Sequence, residues 1–365
     1  MLLSPASGTN NGYTGTTNVN AGTLQLGAAN SMPTSSKVTV LSSATLDING
    51  KTQSLNADLS VSGTLALGSG GSLTLGDGTN VIAATIANIT GSGTVKLKTG
   101  ATLTLTAAII NSSVNIVLDG GTLNPGSFSH NLGVVSLTNA SAIGTGSGSL
   151  TASTNITGAY GLTFTPASGN TITENNAIAT GTGTVTQNGA GTTVLKGTNT
   201  YTGTTTVSVG KLVAANKDAL GATSAGTTVA SGATLALTGN VVVGAEALNL
   251  SGTGATGSTG ALENFSGTNS YAGAITLGAA STIGTVAGDL TLSGGVTSAS
   301  NSALTFTPAS GSTITENSAI ATGTGTVTKN GAGTTVLSGA NTYTGATTIN
   351  AGELQLNSTN ASPSY

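Results

Sequence analysis

The 365-residue chain has no cysteine, no tryptophan and no arginine, a single histidine, and charged residues at only 5% of its length. Without cysteine there is no disulfide, no thiolate metal site and no thiol nucleophile. Without arginine there is no guanidinium to clamp phosphates or read guanine, and the net charge of −3 leaves no basic stripe. Nucleic-acid binding is not expected. No apolar run reaches the roughly 20 residues of a membrane-spanning helix, so membrane insertion of this segment is not expected either. A nucleophilic triad needs histidine, and only His130 exists. Ser129 is beside it, but neighbours along a strand point to opposite faces, and His130 reads as an exposed corner residue. Aromatics are 3% of the chain, and charge is far below the usual figure of about 25%. An ordinary globule would have too few large side chains for its core and too few charges for its surface.

What is present is glycine, 56 residues of it, with abundant Ser, Thr and Asn around short bursts of strict alternation. Leu24/Leu26, Leu46/Ile48, Leu65/Leu67, Leu73/Leu75, Val95/Leu97, Leu103/Leu105, Leu235/Leu237, Leu248/Leu250 and Leu290/Leu292 each hold a period of two. A disordered chain has no reason to keep that period; half-buried strands do. Residues 162–214 also recur at 304–356 without insertion, with roughly 41 of 53 positions identical. Repetition at fixed spacing points to a stacked architecture in which each unit rests on its neighbours. The repeating unit is strand, Gly/Asn corner, strand: Thr184–Thr186, the corner Asn188-Gly189-Ala190-Gly191, then Thr192–Leu195. Thr and Val suit strands, and Gly and Asn supply the corners. The chain is therefore read as all-β, a stacked β-solenoid of 20–25 residues per turn, running as one continuous solenoid over 1–365. About sixteen turns at ~4.8 Å would extend on the order of 75–80 Å.

A shorter motif centres on tyrosine: Asn11, Tyr13 and Gly15; Asn199, Tyr201 and Gly203; Asn269, Tyr271 and Gly273; Asn341, Tyr343 and Gly345. These twelve residues are read as structural, with each tyrosine packing a corner and directing its hydroxyl outward. The runs Gly189–Leu195, Gly197–Thr205 and Gly210–Leu212, with their second copy from Gly331 to Leu356 and the stretches Tyr13–Gly27 and Ala44–Gly50, closely resemble the autotransporter-associated β-strand repeat, the passenger-associated repeat of bacterial type V secretion. The resemblance implies a right-handed parallel β-helix displayed outside the cell, and it carries over no catalytic residue. Such passengers precede a membrane β-barrel. The end of this chain, LNSTNASPSY, shows no barrel-like strands, so a passenger fragment, a product released from a longer chain, or a relative that reaches the surface by another route is expected.

The remaining chemistry is sparse. A polysaccharide-cleaving pair needs two carboxyls roughly 5–9 Å apart. The acids are scattered, Glu174 and Glu316 are equivalent positions of the duplication, and no acid obviously joins Lys96 and Lys98. Gly76-Asp77-Gly78 and Asp119-Gly120-Gly121 read as turns, not calcium sites, and no cofactor or metal is expected. Alternating threonines at 182/184/186 and 202/204/206 suit an ice- or water-ordering face, but they do not read as iterated along the chain. Asn-x-Ser/Thr triplets at Asn88, Asn111, Asn139, Asn155, Asn249, Asn264, Asn357 and Asn360 are expected by chance in this composition. The expected function is that of a non-enzymatic extracellular stalk, adhesin or matrix component contacting surface glycans or proteins. The alternative is a filament assembled end to end through uncapped solenoid edges.

Overall fold

The computed structural model describes residues 1–4, 11–111, 113–144, 149–152 and 155–357, with backbone alone for 149–152. Among them there is no helix, and every strand pairing is parallel, apart from one isolated antiparallel bridge between Lys98 and Gly120. The chain is a parallel β-solenoid, and it forms two compact units, Met1–Gly183 and Thr184–Tyr365.

In the first unit one sheet runs through Leu2–Leu3, Gly22–Leu26, Ala44–Asp47, Thr64–Leu75, Ile89–Lys98, Asn115–Asp119, Val135–Asn139, Ile156–Gly158 and Ile178–Ala179. Each strand is one turn further along the chain than its neighbour. The inward positions stack like on like: Leu24, Leu46, Leu65 and Ile89 form one column, and Leu75, Leu97, Leu118 and Leu137 another. All eight side chains are buried. Period-two alternation puts these residues inside, and parallel register repeats them every turn. Burial at about 25 cal/mol per Å² of apolar surface then stabilises every layer in the same way.

The second unit repeats the plan. Val242–Val243, Asn269–Tyr271, Leu290–Leu292, Thr313–Glu316, Thr334–Leu337 and Glu353–Leu356 form one sheet, and Leu235, Leu262, Ile283, Phe306, Lys329 and Ile349 stack in one column of another. Turn length is broader than the sequence suggests. Thr334 pairs Glu353 (353 − 334 = 19 residues), whereas Leu235 pairs Leu262 (262 − 235 = 27). The long turn carries an extra loop over residues 253–260. Lys211 pins it through a 2.6 Å ion pair to buried Glu263, whose other carboxylate oxygen accepts the Thr259 N–H at 2.7 Å.

Corners use left-handed backbone at Asn30, Asn49, Asn240 and Asn301, and at glycines such as Gly22, Gly210 and Gly352 (φ 71°, 69° and 67°). The last three are one position seen three times, each at the entrance to the second strand after a tyrosine motif.

Candidate functional site

The tyrosine motifs are buried clamps. Tyr201, Tyr271 and Tyr343 are at most 1% exposed, and Tyr13 is half-buried. The expectation of outward hydroxyls is corrected. Tyr13 Oη lies 2.6 Å from Thr17 Oγ1, Tyr201 Oη 2.7 Å from Thr205 Oγ1, and Tyr343 Oη 2.8 Å from Thr347 Oγ1. Burial of the ring drags the hydroxyl inside, where it needs a partner, and the threonine four residues on supplies it. At the fourth motif that position is Ile275, and the Tyr271 hydroxyl has no partner among the described residues. Burial pushes the phenols of Tyr201 and Tyr271 upward.

The asparagine two residues before each tyrosine ties adjacent turns. Asn11 Nδ2 donates to Ser31 O at 2.9 Å and Asn199 Nδ2 to Ala219 O at 2.6 Å. Asn269 and Asn341 instead accept, from Val241 N and from Ile320 N at 2.9 Å. The motif glycine is a contact point. A Cβ on Gly273 would sit 1.7 Å from Glu246 O, and one on Gly345 2.4 Å from Gly325 O, whereas one on Gly15 meets nothing within 4 Å. Gly203 lies in the same motif.

Titratable groups are distributed unlike their reading from sequence. His130 is a core residue, 2% exposed, on the strand Ser129–Leu132. Its Nδ1 accepts the Ile109 N–H at 3.2 Å and its Nε2 donates to Pro125 O at 2.7 Å, which fixes a neutral ring. Burial lowers its pKa against the opposing pull of the Pro125 carbonyl. The strand alternation that turned Ser129 outward turned His130 inward. An acid does join the lysine pair: Asp119 Oδ2 is 2.9 Å from Lys96 Nζ, and Asp119 is the register partner of Lys98. The Lys96 hydrogen bond lowers the Asp119 pKa. That cluster holds one carboxylate, not the two that hydrolysis of a glycoside requires. Asp77 forms a turn, accepting the N–H groups of Thr79 at 2.8 Å and Asn80 at 2.9 Å, which together hold its carboxyl well below the usual range.

Glu174 and Glu316 are both fully buried. Each accepts a backbone N–H from two residues on, Asn176 and Ser318, at 2.9 Å, and the Asn175 N–H also acts on Glu174, while the Oε2 of each has no partner among the described residues. Desolvation pushes both carboxyls up to about 8. Burial thus favours the neutral acid over the carboxylate at both positions. Among the described residues no group of three or more His, Cys, Asp or Glu side chains is placed to hold a metal ion. No helix there is long and apolar enough to cross a membrane.

The threonines, in contrast, do iterate. In the second unit Thr186, Thr206, Thr228, Asn249, Thr276 and Thr297 are register partners through six consecutive turns on the outer surface. In the first unit Asn18, Thr39, Ser60, Thr85, Thr104 and Asn124 do the same. The reading that threonine runs are not iterated is corrected. Spacings of 20, 22, 21, 27 and 21 residues between successive rungs of the second ladder conceal it in the linear sequence.

Neither a curated protein nor a solved structure matches the chain significantly. The profile of the passenger-associated-transport-repeat matches residues 3–26, 185–214 and 327–356. The three matched segments carry the three complete Tyr–Thr clamps, Tyr13–Thr17, Tyr201–Thr205 and Tyr343–Thr347, and the three left-handed glycines, Gly22, Gly210 and Gly352. Tyr271, whose clamp is incomplete, lies outside them. The chain thus carries, in three segments of a parallel β-solenoid, the passenger-associated-transport-repeat of autotransporter passengers.

Proposed function

We propose that the chain is a non-enzymatic stalk or adhesive passenger displayed at a bacterial surface. The observation that carries this reading is the coincidence of the three repeat matches with the three complete tyrosine clamps. The repeat is a device for stacking turns, and it gives each unit a stiff body with uniform outer faces. Charged groups are few, and the acids that look most reactive by burial, Glu174 and Glu316, are held inside. Repeated turns present the same small polar groups at a fixed interval, so weak contacts to surface glycans or proteins multiply through effective concentration.

Antibodies against the chain should label intact cells of the source organism, and external protease should remove the label. Labelling that needs permeabilised cells overturns surface display. Electron microscopy of purified protein over a concentration series separates discrete particles, expected for a stalk or adhesin, from filaments that lengthen with concentration. The second outcome makes end-to-end assembly the function.

A further inference from the structure

The outer ladder of the second unit differs from that of the first in ways that point to a ligand. Its four polar groups from Thr186 to Asn249 make no side-chain hydrogen bond within the described chain, and Thr276 reaches only Thr297, at 3.5 Å. The ladder of the first unit is spent on itself. Thr85 Oγ1 donates to Ser60 Oγ at 3.4 Å and Asn124 Nδ2 to Thr104 Oγ1 at 3.5 Å, and the 3.8 Å pair Lys37–Asp58 flanks it. On the second ladder no residue two positions before or after any rung is charged. Around its middle the flanks shrink to Gly226, Ala247 and Ala274, and a surface hollow of about 270 Å³ opens over Thr228, Asn249 and Thr276.

We infer that this face of the second unit binds a neutral polysaccharide laid along the ladder, with Asn249 as its anchoring group. The inference rests on the adhesive reading above. Three unbonded hydroxyls and the Asn249 amide, one strand spacing of about 4.8 Å apart, match a polymer that repeats its own hydroxyls. The rungs and their flanks offer no counter-charge to an ionised group that would lose water on docking, so a neutral chain fits this face better than a charged one. Asn249 contributes an amide that donates and accepts together, as needed to hold two adjacent sugar hydroxyls. The hollow makes room for a ring at that rung. An ice lattice is the poorer match, because Asn249 interrupts the threonines and the hollow interrupts the plane.

The test is native gel electrophoresis of the full chain through gels containing dextran, mannan or hydroxyethylcellulose, with alginate as the anionic comparison. At least one neutral polymer should retard the protein, independently of salt, and alginate should not. The variant Thr228→Val/Asn249→Ala/Thr276→Val should weaken that retardation tenfold or more. Thr39→Val/Thr85→Val/Thr104→Val on the first unit's ladder should leave it unchanged. Should the triple variant fail to fold, Asn249→Asp alone should abolish binding by placing a charge in the hollow. The inference is overturned if no neutral polymer retards the chain, if the second-unit variants bind like the parent, or if the parent shapes ice crystals and the triple variant does not. Surface labelling of cells that persists alongside absent polymer binding would sink this inference and leave the passenger reading standing.

Discussion

Residues 185–214 and 327–356 are two copies of one repeat within the second unit, and they are not equivalent in their interiors. Both hold the Tyr–Thr clamp, and both enter their second strand through a left-handed glycine. The copies part at several inward positions, and most sharply where Gln187 is replaced by Lys329. Gln187 donates through Nε2 to Gly189 O at 2.7 Å and accepts the Thr193 hydroxyl at 2.6 Å. Its counterpart Lys329 bonds Gly331 O and Ala351 O at 3.0 Å through its ammonium group, which accepts nothing, and the Thr335 hydroxyl is left unpaired. Lys329 is 1% exposed and burial lowers its pKa, yet among the described residues no carboxylate forms an ion pair with it. They differ also in cover. Val207 is fully buried, paired with Gln187 on one side and Val229 on the other, whereas Ile349 is 54% exposed and pairs only Lys329 among the described residues. The comparison teaches that the repeat specifies a backbone path and a polar clamp, while the interior chemistry depends on what lies one turn away.

The largest expected effect comes from the clamp that both copies share. Tyr201→Ala should cost about 3–5 kcal/mol in urea unfolding, the range for emptying a buried aromatic site. Tyr271→Phe should be neutral or stabilising by about 1 kcal/mol, because it removes an unpaired buried hydroxyl. A Tyr201→Ala variant as stable as the parent would break the clamp's structural role.

Next comes pH. The carboxyls of Glu174 and Glu316 rise in the folded state from an ordinary 4.5 to about 8. Between those values the folded chain binds more protons than the unfolded one. Stability therefore falls as pH rises from about 4.5 to about 8 and levels off above, by on the order of a few kcal/mol per site. Glu316→Gln should flatten this dependence and raise the melting temperature at pH 9, read by thermal unfolding across pH. An unchanged slope would mean that the carboxyl is hydrated.

The divergent position is tested by exchange. Lys329→Gln should stabilise by about 1–2 kcal/mol by removing a desolvated charge and giving Thr335 a partner, and Gln187→Lys should cost at least as much. Both are read by denaturant midpoints. The smallest contrast is in cover: Val207→Ala should cost about 1–2 kcal/mol and Ile349→Ala under about 0.5 kcal/mol. Equal costs would mean that Ile349 is covered in solution.

Much of the fold was legible. Alternation marked the buried columns, and Asn and Gly marked the corners, because period two and left-handed backbone are properties of a few consecutive residues. The tyrosine–threonine spacing of four was also present in the sequence, at 13/17, 201/205 and 343/347, and could have predicted inward hydroxyls. The burial of His130 and Glu174 was less legible. Both sit at inward positions of strands too short to announce their own phase, and Glu174 follows a threonine-rich run with little apolar pattern.

By itself, the sequence determined that the chain stacks short parallel strands, where it turns, and which three segments are the same turn seen again. These follow from local stereochemistry and from direct repetition. Only the tertiary structure decided which residues become neighbours across turns: the acid that joins Lys96, the Oε2 atoms of Glu174 and Glu316 that find no partner among the described residues, and the unbonded outer rungs from Thr186 to Asn249. Pairing between turns depends on the length of each intervening loop. Register partners one turn apart are separated by 19 residues at Thr334 and Glu353 (353 − 334 = 19) and by 28 at Val242 and Ser270 (270 − 242 = 28), so no fixed period in the chain records them.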